Sequence, residues 1–160
     1  MPLPSRDGNP HYRAYIRHPG AVVLLPLLDP DTIVMIENER TGVGETLLEL
    51  PAGTRDLQAD GTGEPVLETA ARELVEETGY SAGQLDIVCE FYSAPGLGNE
   101  RMHLIVARDL TPGEPKLETT ERIETRLVRR AEAERLVRCH EIRDSKTLVG
   151  LQSFLLNHIS

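Results

Sequence analysis

Apolar residues in this chain fall mostly in short runs closed by turn residues, with helical spacing confined to a few stretches. Ala21 to Leu28 is a continuous apolar run ended by Asp29-Pro30-Asp31, a turn signal. Thr32 to Ile36 is a second β-rich run, so the two predict a hairpin. A short strand around Leu47 to Leu50 leads into a turn at Gly53. From Pro65 to Thr78 the period changes. Leu67, Ala71, Leu74 and Thr78 recur at spacings of 4, 3 and 4, which predicts a helix with one packing stripe. Pro65 suits its first position and Gly79 its stop. The stripe is expected to pack on a sheet and leave the acidic residues on another side.

Leu85 to Tyr92 and Met102 to Ala107 predict strands joined by the loop Ser93 to Arg101. Ile123 to Val128 alternates polar and apolar residues and predicts a further strand. Ala131 to Cys139 reads as a short helix. Ser145 to His158 reads as a terminal helix with Leu148, Leu151, Leu155 and Ile159 as its stripe. Strands, helix, strands, helices is the order of an α/β sandwich with a mixed sheet. There is no internal repeat and no interdomain linker.

Composition narrows the partners. At 160 residues the chain fits one domain and can bury a core without staples. The formal charge of −9 argues against a nucleic-acid polymer, whose binders carry basic patches. A small anionic nucleotide is compatible, because bound metal ions reverse the local field. Cys89 lies in an apolar run and Cys139 stands apart from it, with no metal-site spacing, which suits a reducing compartment. No apolar stretch approaches the ~20 residues of a membrane span. Met1 to Tyr12 is polar and proline-rich and is no signal peptide, so the expected location is cytoplasmic.

The candidate chemistry sits in Arg72-Glu73-Leu74-Val75-Glu76-Glu77-Thr78-Gly79. On a helix Glu73 and Glu77 stand at i,i+4 with Glu76 beside them. Three carboxylates on one face need a cation between them, either Arg72 or a hard divalent metal such as Mg²⁺. A glutamate-rich helix by itself is usually a solvated face. Here Leu48-Glu49-Leu50-Pro51-Ala52-Gly53, Glu64 and Pro65 precede it, with seven residues from Pro65 to Ala71 before Arg72.

That arrangement resembles the signature of the Nudix hydrolases, G-x5-E-x7-R-E-U-x-E-E-x-G-U, where U is bulky and apolar. The match is complete from Glu64 through Gly79. The glycine six residues before Glu64 is replaced by Gln58, so Gly53 takes that role, with ten residues intervening. Thr54 to Gly63 then reads as the family's loop lengthened by five residues, and Tyr80 stands at the last apolar position. The resemblance implies a Nudix-type α/β/α sandwich over residues 18–160, preceded by a polar segment 1–17.

Features outside the signature resemble one branch of that family, the ADP-ribose pyrophosphatases. They are His18 to Val22, Gly42 to Gly53, Phe91 to Gly96 with Pro95 fifteen residues after Tyr80, and Glu141 to Thr147. The resemblance implies that the Ala52 carbonyl, Glu73, Glu76 and Glu77 hold Mg²⁺, with Mn²⁺ as a substitute. Arg72 would brace the helix face and loop, pairing with a carboxylate such as Glu64. Arg40 matches an arginine near the substrate phosphates, and Glu100 a residue that contacts substrate; a surface arginine and an ordinary loop acid are the plain alternatives. His103 is expected to be a satisfied structural histidine.

The branch takes its water-activating acid and a further metal ligand from a loop before a late strand. Here Glu121 falls at the ligand position and Thr119 at that of the acid, with Glu118 one residue away. The branch also has a longer β-rich segment before the core, which exchanges between two subunits and helps hold the adenine. About twenty residues stand there in this chain, from which Tyr12, Tyr15 and Arg17 could supply part of that function. A homodimer is therefore an expectation as well.

The implied reaction is metal-assisted hydrolysis of ADP-ribose, or a related nucleoside diphosphate sugar, to AMP and a sugar phosphate. The alternatives are the same chemistry on a dinucleotide or coenzyme A derivative, and a nucleotide-sugar sensor that binds without cleaving. The presence of all three helix carboxylates favours an enzyme.

Overall fold

In the computed structural model, which describes residues 2–3, 7–9, 11–156 and 159, the apolar runs at 21–28 and 102–107 lie side by side inside one sheet. Strands β1 (Pro2–Leu3) and β2 (His11–Tyr12) form a separate two-stranded ribbon. The main sheet contains β3 (Ala21–Asp29), β4 (Thr32–Arg40), β5 (Glu45–Glu49), β6 (Ala52–Thr54), β7 (Ser81–Tyr92), β8 (Arg101–Thr111) and β9 (Ile123–Arg129). Its order is β5-β4-β3-β8-β7, with β6 also paired to β3 and β9 to β4. β3 and β8 run parallel while the other pairs are antiparallel, so the sheet is mixed.

Helices cover both faces, which is why β3 reads as an unbroken apolar run rather than an alternation. Helix α1 (Val66–Thr78) packs Ala70 and Leu74 on Val22, Leu24, Ile105 and Ala107. Helices α2 (Arg130–Arg138) and α3 (Ser145–Leu155) bring Leu136, Leu151 and Phe154 to the opposite face, against Val23, Leu25, Leu104 and Val106. Each such leucine, fully buried, contributes about 1.5–3 kcal/mol. The expected α/β/α sandwich is therefore present.

Three details differ from the sequence reading. First, α1 starts at Val66, and Pro65 is its N-cap residue. Its buried face is Thr69, Ala70, Leu74, Glu77 and Thr78, whereas Leu67 is 42% exposed and Ala71 is exposed. The packing stripe is thus rotated from the predicted one, and it carries Glu77 inward instead of leaving the acids outside. Local spacing cannot choose between two overlapping stripes that share Leu74 and Thr78; the sheet beneath does.

Second, β7 and β8 extend well beyond their apolar runs, because hairpin pairing continues from Tyr92↔Arg101 to Ser81↔Thr111 whatever the side-chain polarity. Third, Phe154 joins the core from α3, while Leu148 and Leu155 are only half-buried. The predicted extension of α3 to residues 157 and 158 lies outside the described residues.

The long loop is ordered. Thr54 ends β6, and the segment after it folds back on itself through the Leu57↔Gly63 bridge and Gln58 N–H donating to Thr62 O at 2.8 Å. Arg55 pins its base by donating to the carbonyls of Glu64 at 2.6 Å and Gly63 at 3.0 Å. Gly79 closes α1 in the left-handed region at φ 76°, its N–H donating to Val75 O at 2.9 Å.

Candidate active site

The site forms where the inner edge of α1 meets β6. Ala52 and Gly53 sit opposite Val23 and Val22, so Gly53, where the sequence reading expects a turn, lies instead inside β6, held there by pairing with a strand remote in sequence. The Ala52 N–H donates to Glu77 Oε2 at 2.8 Å, tying the helix to the strand. One turn earlier on α1, the Glu73 carboxylate lies against Gly53. A Cβ at Gly53 would fall 1.8 Å from the Glu73 carboxyl carbon. Only a residue without a side chain allows this approach, which accounts for glycine here.

Burial controls the electrostatics. Glu77 is 5% exposed, and desolvation pushes its carboxyl up to about 8. The Ala52 N–H and Arg40 pull it down, while Glu73 and Glu121 add to the rise. Glu73 is also raised, chiefly by burial, with Arg72 opposing and Glu76 and Glu121 reinforcing. These carboxylates therefore crowd one another with too little positive charge nearby.

Beside Arg40, Arg72 supplies positive charge to this cluster. Its guanidinium donates to Glu64 Oε2 at 2.9 Å, to Glu73 Oε1 and Glu76 Oε2 at 2.8 Å each, and to Thr54 O at 3.2 Å. The bond to Glu64 leads a set of contacts that hold Arg72 charged. In return, Arg72 keeps Glu64 below the usual carboxylate range, helped by the Thr69 hydroxyl. The expected Arg72–Glu64 pairing is present.

A cleft of about 520 Å³ opens over these groups. It is lined by Ala52, Gly53, Glu73, Glu76 and Glu77, and by the cations Arg72 and Arg40. Glu118 and Glu121 line it from the β8–β9 loop, where the Glu118 N–H donates to Glu121 Oε2 at 2.8 Å. A second cleft of about 340 Å³ shares Arg40, Ala52, Gly53 and Thr54 with the first and runs on to Glu100 and Lys146.

The fold thus gathers the carboxylates expected from sequence. Among the described residues no three carboxylate, imidazole or thiolate groups converge as a ready-made metal shell. Arg72 bridges Glu64, Glu73 and Glu76. The donor set still fits a hard divalent cation, since it is all oxygen, partly buried and short of positive charge.

Pro95 is exposed in the turn whose Leu97 N–H donates to Ala94 O at 2.9 Å, and it lines neither cleft. Tyr12, Tyr15 and Arg17 line neither cleft; Arg17 donates instead to the Tyr15 hydroxyl at 3.2 Å. His103 departs from expectation. It is buried and its Nδ1 has no hydrogen-bond partner, although Glu90 Oε1 lies 3.3 Å away out of bonding alignment. Two residues gained no role from the sequence, the fully buried Glu49 and its partner Lys146. A lone acid between Leu48 and Leu50 was the available signal, since a buried carboxylate requires partners.

The NUDIX domain model matches residues 17–148. Over 148 residues the chain is 36% identical to the ADP-ribose pyrophosphatase of Bacillus subtilis (strain 168), covering 91% of this chain and 77% of that one. It is 34% identical, with the same coverage, to the methanol dehydrogenase activator of Bacillus methanolicus. Among solved structures, an ADP compounds hydrolase superposes with a TM-score of 0.80 at 25% identity, covering 97% of this chain and 80% of that one. The chain belongs to the Nudix family, pyrophosphohydrolases that in general require a divalent metal ion.

Proposed function

We propose that this chain hydrolyses the diphosphate bond of ADP-ribose, or of a related nucleoside diphosphate sugar, releasing AMP and a sugar phosphate. The observation that carries this reading is the pair of half-buried Glu73 and buried Glu77, charge-crowded against Ala52 and Gly53, in a cleft that also holds Arg40. Relatives described as an ADP-ribose pyrophosphatase and an ADP compounds hydrolase support the substrate class.

In this reading Glu73, Glu76, Glu77 and Glu121, with the Ala52 carbonyl, hold Mg²⁺, or Mn²⁺ in its place. A bound divalent cation supplies neutralisation of the diphosphate and a more acidic water. Glu118 takes a proton from the attacking water, and its own N–H holds Glu121 in register beside it. Arg40 meets the diphosphate oxygens where the two clefts join, and Glu100 contacts the rest of the substrate in the second. Arg72 braces Glu64, Glu73 and Glu76 without touching substrate.

Residues 18–160 act as one catalytic domain behind the polar segment 1–17. A homodimer belongs to the proposal. β7 ends the sheet order, and a 12-residue edge offers backbone groups that a second copy can pair with. No helix of the described residues is long and apolar enough to cross a membrane. The free thiols of Cys89 and Cys139 support a reducing, cytoplasmic setting.

The test is a substrate panel of ADP-ribose, GDP-mannose, a dinucleotide and a coenzyme A derivative, with products separated by chromatography. With Mg²⁺, AMP should appear from ADP-ribose and stop on adding chelator. Undiminished turnover in excess chelator would overturn the metal-based reading. Binding without cleavage of any panel member would make the chain a sensor.

A further inference from the structure

Arg40 stands at the seam of both clefts, and what holds it there is a chain of charges reaching into the core. Its Nε and Nη2 donate to the two oxygens of Glu49, at 2.9 and 2.7 Å, a bidentate geometry that fixes the guanidinium plane. The Glu49 side chain is 1% exposed, whereas that of Arg40 is 42% exposed. Glu49 is thus an interior anchor, and Arg40 keeps part of its surface in the clefts. A carboxylate so buried is costly unless it is paired and its remaining lone pairs are bonded, and Arg40 is joined here by another cation. Lys146 supplies the second, its Nζ lying 2.6 Å from Glu49 Oε2.

Lys146 is itself held. It donates to Asp144 Oδ1 at 2.9 Å, and Asp144 caps α3 by accepting from Thr147 N at 2.9 Å. The Thr147 hydroxyl donates to Asp144 Oδ2 at 2.6 Å and accepts from Leu50 N at 2.9 Å. The α3 N-terminus is therefore locked to the strand that carries Glu49. The two carboxylates take two of the three N–H groups of the Lys146 ammonium and hold it beside Glu49. Bonding to Glu49 uses the Nε edge of Arg40, leaving its remaining N–H groups for an anion in the clefts.

We propose that Glu49, with Lys146 as its second counter-cation, is a positioning residue that sets the Arg40 guanidinium to receive a nucleoside diphosphate. This rests on the reading of the cleft given above. Were Lys146 removed, Arg40 alone would have to balance Glu49 and would be drawn more firmly toward it, away from an anionic ligand.

The experiment is a double-mutant cycle on the full chain, read by calorimetric titration of ADP with Mg²⁺ present. R40A should weaken ADP binding about tenfold or more, as loss of a charge-assisted contact does, and E49Q about tenfold. If Glu49 acts through Arg40, R40A/E49Q should bind within roughly threefold of R40A alone. K146M runs the same cycle should E49Q fail to fold, and its effect should likewise vanish in the R40A background. Multiplicative losses, or wild-type affinity in E49Q or K146M, would overturn the proposal, as would a wild type that does not bind ADP. A wild type that follows the cycle but cleaves nothing removes the hydrolase reading alone. Turnover with multiplicative losses removes this inference alone.

Discussion

Replacing Glu77 with glutamine should make the metal-free protein more stable at alkaline pH while disabling it as an enzyme. Glutamine keeps the shape and the acceptor for the Ala52 N–H, 2.8 Å away, and removes the charge. In the folded protein burial pushes Glu77 up to about 8, from an ordinary value of 4.5. A raised carboxyl stabilises the fold fully below 4.5, where both states hold the proton. That contribution declines as pH rises, because the unfolded chain ionises freely while the buried carboxyl resists, and it is gone above about 8.

The gap corresponds to a loss on the order of 5 kcal/mol between acid and alkaline pH at ~1.4 kcal/mol per pH unit. For a chain of this size that is roughly 10–20 °C in Tm. Glu77→Gln lacks this loss, so in chelator its melting temperature should exceed that of wild type at pH 8.5 and meet it near pH 4.5. Excess Mg²⁺ should raise wild type by ~3 kcal/mol at a hundredfold excess over Kd and the variant by much less, narrowing or reversing the difference. Turnover should fall by several orders of magnitude. The assay is differential scanning fluorimetry across pH, with and without metal, alongside product release. A variant melting below wild type at pH 8.5 in chelator, with an unchanged pH slope, would refute the argument that Glu77 is a buried, charge-strained group.

Three further outcomes follow from the geometry. Gly53→Ala should leave the melting temperature within a few degrees of wild type, because the Cβ displaces only the mobile end of Glu73; the Mg²⁺ concentration for half-maximal rate should rise about tenfold or more. Gly79→Ala should cost roughly 2–4 kcal/mol by denaturant titration, since φ is 76° and the Cβ would meet backbone at 2.6 Å from Gly113 O and 2.8 Å from Pro115 N. Glu121→Gln should weaken metal-dependent turnover strongly, whereas Glu118→Gln should lower kcat with little change in metal requirement; wild-type rates in both and in the double variant would leave the β8–β9 loop without a catalytic role.

The sequence by itself determined the apolar strand runs, the helix that follows Pro65 and ends at Thr78, and the order Arg72, Glu73, Glu76, Glu77 on one helical surface. It did so because those features depend on neighbours within a turn or two, and periodicity records them directly. The Arg72–Glu64 pairing came instead from the resemblance to the Nudix signature, and the structure places the two side chains 2.9 Å apart. The tertiary structure decided which side of α1 faces in, and with it that Glu77 is buried. That choice is made by Val22, Leu24, Ile105 and Ala107 on strands remote in sequence. Likewise Glu77 meets Ala52 across 25 residues and Glu49 meets Lys146 across 97. Spacing along a chain carries no record of such distances. The residue types of the site were therefore written in the sequence, while their burial, and hence their charge and reach, came from the packing of the sheet.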